Sequence, residues 1–196
     1  EQGQWDQALE HLERSLDIKQ KIGDIEGIAR LNNNLCELYS ERGDFEKAID
    51  YGEHALAVGE KIKHRNITCF ALINLAHVKI LQGEFDRAIG DLNRSIAIAT
   101  EMGSKERIAE AQWHLAEAYL GLGQLETAQK FADQSVTLAV EIGRKLIESK
   151  VLRTQASIAQ QQHDLPKAMD CIERSLAILT VLKSQFELAK TQCQLA

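Results

Sequence analysis

A six-residue block returns at intervals of 40 residues with no insertion or deletion, and that period restricts the fold more than any other feature of the chain. Gly3-Gln4-Trp5-Asp6-Gln7-Ala8 recurs as Gly43-Asp44-Phe45-Glu46-Lys47-Ala48, then as Gly83-Glu84-Phe85-Asp86-Arg87-Ala88 and as Gly123-Gln124-Leu125-Glu126-Thr127-Ala128. A fifth copy, His163-Asp164-Leu165-Pro166-Lys167-Ala168, puts histidine in place of the glycine. A unit of this size cannot bury an apolar core alone. Successive copies must stack on their neighbours, so residues 1–196 read as one repeat array.

Other columns keep the same period. Seven residues after each alanine of the block stands a small residue (Ser15, Ala55, Ser95, Ser135, Ser175), and an aliphatic one follows it (Leu16, Leu56, Ile96, Val136, Leu176). Upstream, Leu35-Cys36, Leu75-Ala76, Leu115-Ala116, Gln155-Ala156 and Leu195-Ala196 align. Large side chains facing small ones let two helices approach closely and interdigitate. Each repeat then divides into two helices. The first runs over 25–41, 65–81, 105–121 and 145–161, with a partial copy from 185; the second runs over 5–22, 45–62, 85–102, 125–142 and 165–182. Gly3, Gly43, Gly83 and Gly123, with His163 in the fifth copy, mark the turn inside each hairpin, because a residue at positive φ ends a helix at little cost. Gly23-Asp24, Gly103-Ser104 and Gly143-Arg144 mark the turn between repeats, and Ser184-Gln185-Phe186-Glu187 reads as a capping box.

Composition agrees and excludes several functions. The chain is 44% hydrophobic but only 5% aromatic, has one proline, and is dominated by good helix formers. No run approaches the roughly 18 apolar residues of a membrane span. A net charge of −6, with the acidic excess in the first half, argues against binding a nucleic-acid backbone. Cys36, Cys69, Cys171 and Cys193 form no CxxC pair or regular framework, which suits reduced thiols in a cytoplasmic protein. The pattern is interrupted at both ends and the chain does not open on methionine, so it reads as an internal piece of a longer array.

These columns resemble the tetratricopeptide repeat. Its apolar-small pair, aromatic, hairpin glycine, second aromatic and two small residues fall on Leu35-Cys36, Tyr39, Gly43, Phe45, Ala48 and Ala55, and again on Leu115-Ala116, Tyr119, Gly123, Leu125, Ala128 and Ser135. The resemblance covers the whole chain. The usual 34-residue period is exceeded here and the usual proline is absent, so the chain is most similar to the longer class found in kinesin light chains, spindle-orientation adaptors and bacterial signalling proteins. It implies an all-α, right-handed superhelical solenoid of antiparallel hairpins, with about ten helices.

The resemblance also implies that the first helix of each hairpin lines a concave face. Carried across position by position, that face comprises Asn33, Asn34 and Glu37; Phe70, Ile73, Asn74, His77 and Ile80; Trp113, His114, Glu117 and Leu120; and Lys150 and Arg153. Arg30, Ser40, Glu110, Thr154, Ser157, Gln160 and Lys190 occupy related positions. Phe70, Ile73, Ile80, Trp113 and Leu120 are expected as apolar anchors in mid-groove. Asn34 and Asn74 suit a peptide backbone, since an amide both donates and accepts. Lys150 and Arg153 make one end basic. The expected ligand is a protein or peptide with an apolar segment and an acidic flank. The alternative is that Phe70 and Trp113 pack between neighbouring first helices.

Chemistry is not expected. His77 and His114 lack third and fourth ligands for a metal, Cys36 and Cys69 share columns with alanines, and no phosphate-binding, nucleophile-elbow or zincin motif occurs. No cofactor and no enzymatic activity are anticipated. Three roles remain: a recognition module, a sensory or regulatory arm of a larger signalling or transcription-regulating protein, and a scaffold that self-associates through its array ends.

Overall fold

Among the described residues, nine chain reversals spaced 20 residues apart separate the helices. The computed structural model describes residues 2–194, with side chains from residue 7 onward; Trp5, Asp6, Leu195 and Ala196, which belong to the repeat columns, fall outside the described side chains. The described residues form α1 (Gln2–Ile22), α2 (Ile25–Arg42), α3 (Phe45–Lys61), α4 (Arg65–Leu81), α5 (Phe85–Glu101), α6 (Lys105–Gly121), α7 (Leu125–Glu141), α8 (Lys145–Gln161), α9 (Leu165–Leu182) and α10 (Gln185–Cys193), with no strand among them. From α2 onward the boundaries follow the 40-residue frame. The exception is Gly3, expected in a turn: it lies inside α1.

The reversals share one geometry. At the first hairpin the Gly43 amide donates to the Ser40 carbonyl at 3.1 Å and the Asp44 amide to Tyr39 at 3.0 Å, with Gly43 at φ 82°. This pair of bonds, closed by a left-handed residue, ends a helix while satisfying its last carbonyls. Lys63, His163 and Lys183 adopt the same conformation at φ 55°, 61° and 54°. The period placed His163 there. Lys63 and Lys183 show that the backbone bonds enforce the turn even where a side chain costs about 1 kcal/mol. Asp24, Asp44 and Asp164 cap the following helices by accepting from the amides of Gly27, Lys47 and Lys167. The expected capping box at Ser184 does not form: Ser184 makes no side-chain cap bond, and Glu187 is drawn away by two cations on α8.

Two compact units result, residues 1–102 and 103–196. In the first, α2 packs on α1, α3 and α4, and α4 on α5, around Leu9, Leu35, Tyr39 and Val78. In the second, α6 packs on α7 and α8, and α9 on α8 and α10; Trp113, Ala116, Ala132, Val151 and Ile158 share one cluster.

The small column has a second use beyond its size. Ser135 Oγ donates to the Ala109 carbonyl at 2.6 Å, Ser175 Oγ to Ser149 at 2.9 Å, and Ser95 Oγ lies 3.4 Å from the Cys69 carbonyl. All three serines are fully buried, so these three hairpins are each stitched by a hydroxyl that would otherwise be an unpaired buried donor, while α3 carries Ala55 at the same position. A neighbouring pair of columns tolerates exchange of chemistry. Tyr39 stacks on Tyr51 and Tyr119 on Phe131, each at 5.5 Å between centroids, whereas the equivalent Lys79 and Asp91 form an ion pair.

Helix α3 comes closest to its neighbours at two glycines. A Cβ on Gly59 would stand 3.0 Å from the Thr68 amide nitrogen, and one on Gly52 would stand 2.7 Å from Leu75 Cδ2. Gly90 on α5 has open space around it. Gly59→Ala should therefore destabilise the protein by about 1–3 kcal/mol through overpacking against backbone, while Gly90→Ala should stabilise it by about 0.5–1 kcal/mol through helix propensity. Urea unfolding of the two variants checks both signs.

Candidate partner-binding face

The first helices carry their side chains at two depths, and the residues expected on one face divide between them. In the first unit, Asn33, Ile73 and Asn74 are buried, at 1%, 0% and 7% exposure. Asn34 and Glu37 on α2 are exposed, and Phe70, His77 and Ile80 on α4 are half-buried. In the second unit, Trp113 and His114 are buried, while Glu117, Leu120, Lys150 and Arg153 are half-buried.

The buried layer serves to join adjacent first helices, and it does so at a constant offset of 41 residues. Asn74 Nδ2 donates to the Asn33 carbonyl at 3.0 Å, Trp113 Nε1 to Thr154 Oγ1 at 3.0 Å, and Gln194 Nε2 to the Arg153 carbonyl at 3.2 Å. Gln194 also reaches Ser157 Oγ at 2.5 Å. An amide, an indole and a hydroxyl thus solve the same problem, which is to give a polar group a partner where two helices meet. Asn74, expected to hold a peptide backbone, spends its amide on the neighbouring helix. Trp113, expected as an exposed anchor, lies instead between α6 and α8 with the Lys150 ammonium 5.1 Å from its ring centroid. Its other side meets the His114 ring at 4.1 Å, and His114 Nδ1 stands 2.9 Å from Glu117 Oε2.

Charge is arranged with equal economy at the basic end. Glu187 on α10 is 6% exposed and receives Arg153 Nη1 at 2.7 Å, with Lys150 Nζ at 3.5 Å. Burial pushes its carboxyl pKa up, but the charges of Lys150 and Arg153 and the Arg153 hydrogen bond outweigh this and hold it below the ordinary value near 4.5. The two cations expected to meet an acidic flank of a ligand thus already hold one carboxylate of this chain. Sequence spacing could have hinted at it, since Arg153 and Glu187 stand 34 residues apart on consecutive first helices.

Nothing in the buried set resembles a reactive centre. Among the described residues no group of three or more His, Cys, Asp or Glu side chains could hold a metal. Burial pushes the Cys36 thiol up to about 12, with the Glu37 charge adding to it, which removes the thiolate a nucleophile needs. Cys69 makes a 3.2 Å contact with Ser95 Oγ inside the first unit.

Comparison with known proteins gives a consistent result. A tetratricopeptide repeat family model matches residues 1–61, 27–101 and 107–180. BtubC (BKLC) from P. vanneervenii superposes with a TM-score of 0.73 at 18% identity, covering 95% of this chain and 80% of that one. The kinesin light chain-like repeats of Podosopora anserina give 0.62 at 22%, covering 94% and 91%. A signal transduction ATPase with a tetratricopeptide repeat sensor, from Pyrococcus horikoshii, gives 0.63 at 18%, covering 97% of this chain but 29% of that one. At such identities these likenesses establish the fold. No curated protein matches the chain.

Two measurements follow from the geometry. Trp113→Ala should cost about 3–5 kcal/mol of stability, as for any large buried aromatic, and Thr154→Val about 1–3 kcal/mol by stranding the indole N–H; urea titrations of both read this out. Because the folded pKa of Glu187 is depressed, its ionised form stabilises the fold above the unfolded value and that stability is lost as pH falls through the folded one. The stability gap between wild type and Glu187→Gln should stay constant above about pH 5.5 and close progressively below about pH 4.5.

Proposed function

The chain belongs to the tetratricopeptide repeat family, and from that premise we propose that it grips a peptide or protein partner along the face lined by its first helices. A protein-interaction role is what the family membership supports. The finer reading rests on one observation: above an inner layer that bonds neighbouring first helices to one another, an outer row stays accessible and changes its chemistry from repeat to repeat. The column of Glu37 continues as His77, Glu117 and Ser157, and that of Phe70 as Glu110 and Lys150. Accessible side chains of varied chemistry suit recognition of a sequence-specific partner.

This reading shifts the candidate contacts outward. Asn34, Glu37, Phe70, His77, Ile80, Glu117, Leu120, Lys150 and Arg153 remain in the contacting row. Asn33, Ile73, Asn74, Trp113 and His114 support it from beneath. The apolar members Phe70, Ile80 and Leu120 favour a partner with an apolar segment. The acidic flank meets the basic end by competing with Glu187 for Lys150 and Arg153. The unbroken period over residues 1–196 favours one array, and the face acts as a binding module without catalytic groups.

A sensory arm is the second reading. It is favoured by the match of 97% of this chain to 29% of a signal transduction ATPase that carries a tetratricopeptide repeat sensor. The same face would then read a signal for attached domains.

Photo-crosslinkable residues distinguish this face from the outside of the molecule. Incorporated at Ile80 and Leu120, they should capture discrete protein adducts in cells, whereas the same residue at Arg87 and Glu126 on the second helices should not. Equal capture from both sets would sink the proposal.

A further inference from the structure

The contact between α8 and α10 is ionic in a seam that an amide and an apolar side chain fill elsewhere. Seams between consecutive first helices recur at an offset of 34 residues. Asn33 Nδ2 donates to the Ile67 carbonyl at 3.4 Å, and Ile147 packs against the apolar cluster that holds Trp113. At the same offset Arg153 meets Glu187 at 2.7 Å, with Lys150 at 3.5 Å. Among the described residues of α10, the two that are buried are Glu187 and Thr191, and both are polar.

Stability gives no reason for charge in this seam. Taking a carboxylate and two cations out of water costs about what their attraction returns, and packed apolar side chains at such a site serve as well or better. An ion pair differs from an apolar contact in one respect, which is that a third charge can exchange into it. The seam lies near enough to the surface for that. Lys150 and Arg153 keep 15% and 17% of their side-chain surface open, while Glu187 keeps 8%.

A second place for the Glu187 carboxylate exists on its own helix. Ser184-Gln185-Phe186-Glu187 has the spacing of a capping box, in which the glutamate accepts from the serine amide and the serine hydroxyl accepts from the glutamate amide. Neither bond is made at rest. Ser184 makes no side-chain cap bond, its amide donates to the Leu179 carbonyl at 3.2 Å, and the carboxylate is turned towards α8. Returned to the first turn, that carboxylate would face the positive end of the helix dipole. It would also offer the Ser184 amide a charged acceptor in place of a long bond to a neutral one. Glu187 thus has two sets of partners, and one carboxylate serves one of them at a time.

We propose that Glu187 is a two-position switch: at rest its carboxylate occupies Lys150 and Arg153, and when a partner's carboxylate takes those cations it returns to cap α10 at Ser184. This rests on the partner-binding face proposed above and gives that face a threshold. A neutral flank leaves Glu187 where it is and gains nothing at the basic end. An acidic flank must displace a resident carboxylate, and the cap that α10 then acquires offsets part of the cost. That difference alone shifts the balance between the two positions.

Two measurements on the full chain test the switch. The first needs no partner and reads hydrogen exchange of the α10 amides. Ser184→Ala should leave exchange within about twofold of wild type, where the cap is not made, and speed it about fivefold in Lys150→Met/Arg153→Met, where Glu187 is free to cap. The second follows, by fluorescence anisotropy, two synthetic peptides that share a leucine-rich segment and end in glutamates or in glutamines. Glu187→Gln removes the resident charge, so it should tighten the glutamate peptide about fivefold or more and leave the glutamine peptide unchanged. Ser184→Ala should weaken the glutamate peptide on wild type but not on Glu187→Gln. Equal effects of Ser184→Ala on exchange in both backgrounds would overturn the proposal, and so would a glutamate peptide that gains nothing from Glu187→Gln. Absence of crosslinking at Ile80 and Leu120 strikes the binding face itself, whereas the exchange comparison involves no partner and strikes the switch alone.

Discussion

Each hairpin depends on a helix–helix seam in which a small residue meets a neighbouring backbone. Ser95, Ser135 and Ser175 lie fully buried there, and the alanines Ala48, Ala88, Ala128 and Ala168 stand in the companion column. At Gly52 and Gly59 of α3, which face Leu75 and Thr68, the helices come so close that a methyl group would collide. Close approach brings the apolar columns into one layer and lets a hydroxyl reach across to a carbonyl. The turn spacing and the buried cores both presuppose that distance.

On this frame, columns divide into those that must keep a shape and those that must only keep a partner. Tyr39 with Tyr51 and Tyr119 with Phe131 fill a site by stacking, yet Lys79 with Asp91 fill the equivalent one by charge. The cross-helix bonds from Asn74 and Gln194 are donated by amides to carbonyls, whereas Trp113 donates an indole N–H to a hydroxyl at the corresponding junction. A buried polar site demands complementarity between two columns rather than identity within one.

Much of the fold was legible because helical hairpins repeat. Glycine at 43, 83 and 123 and alanine at 48, 88 and 128 set helix ends that the structure reproduces closely. Lys63 and Lys183 escaped notice because a left-handed residue is enforced by two backbone bonds and need not be glycine. Glu187 was misread as a cap because sequence shows its neighbours on α10 and hides the cations of α8. For the proposed binding face, family resemblance pointed to the first helices but could not assign depth. Residues one position apart on a helix point about 100° apart, and in a stack of helices that angle separates buried Asn33 from exposed Asn34.

By itself the sequence determined the all-α repeat, its 40-residue period, the position of nearly every turn and the family, because each follows from local backbone preference and from periodic burial. Only the tertiary structure decided which members of the first helices are foundation and which are surface. It also decided that Lys150 and Arg153 already hold a carboxylate. Those outcomes depend on contacts between residues 34 to 41 positions apart in the chain, where burial and charge are set by the neighbouring helix and no local pattern records them.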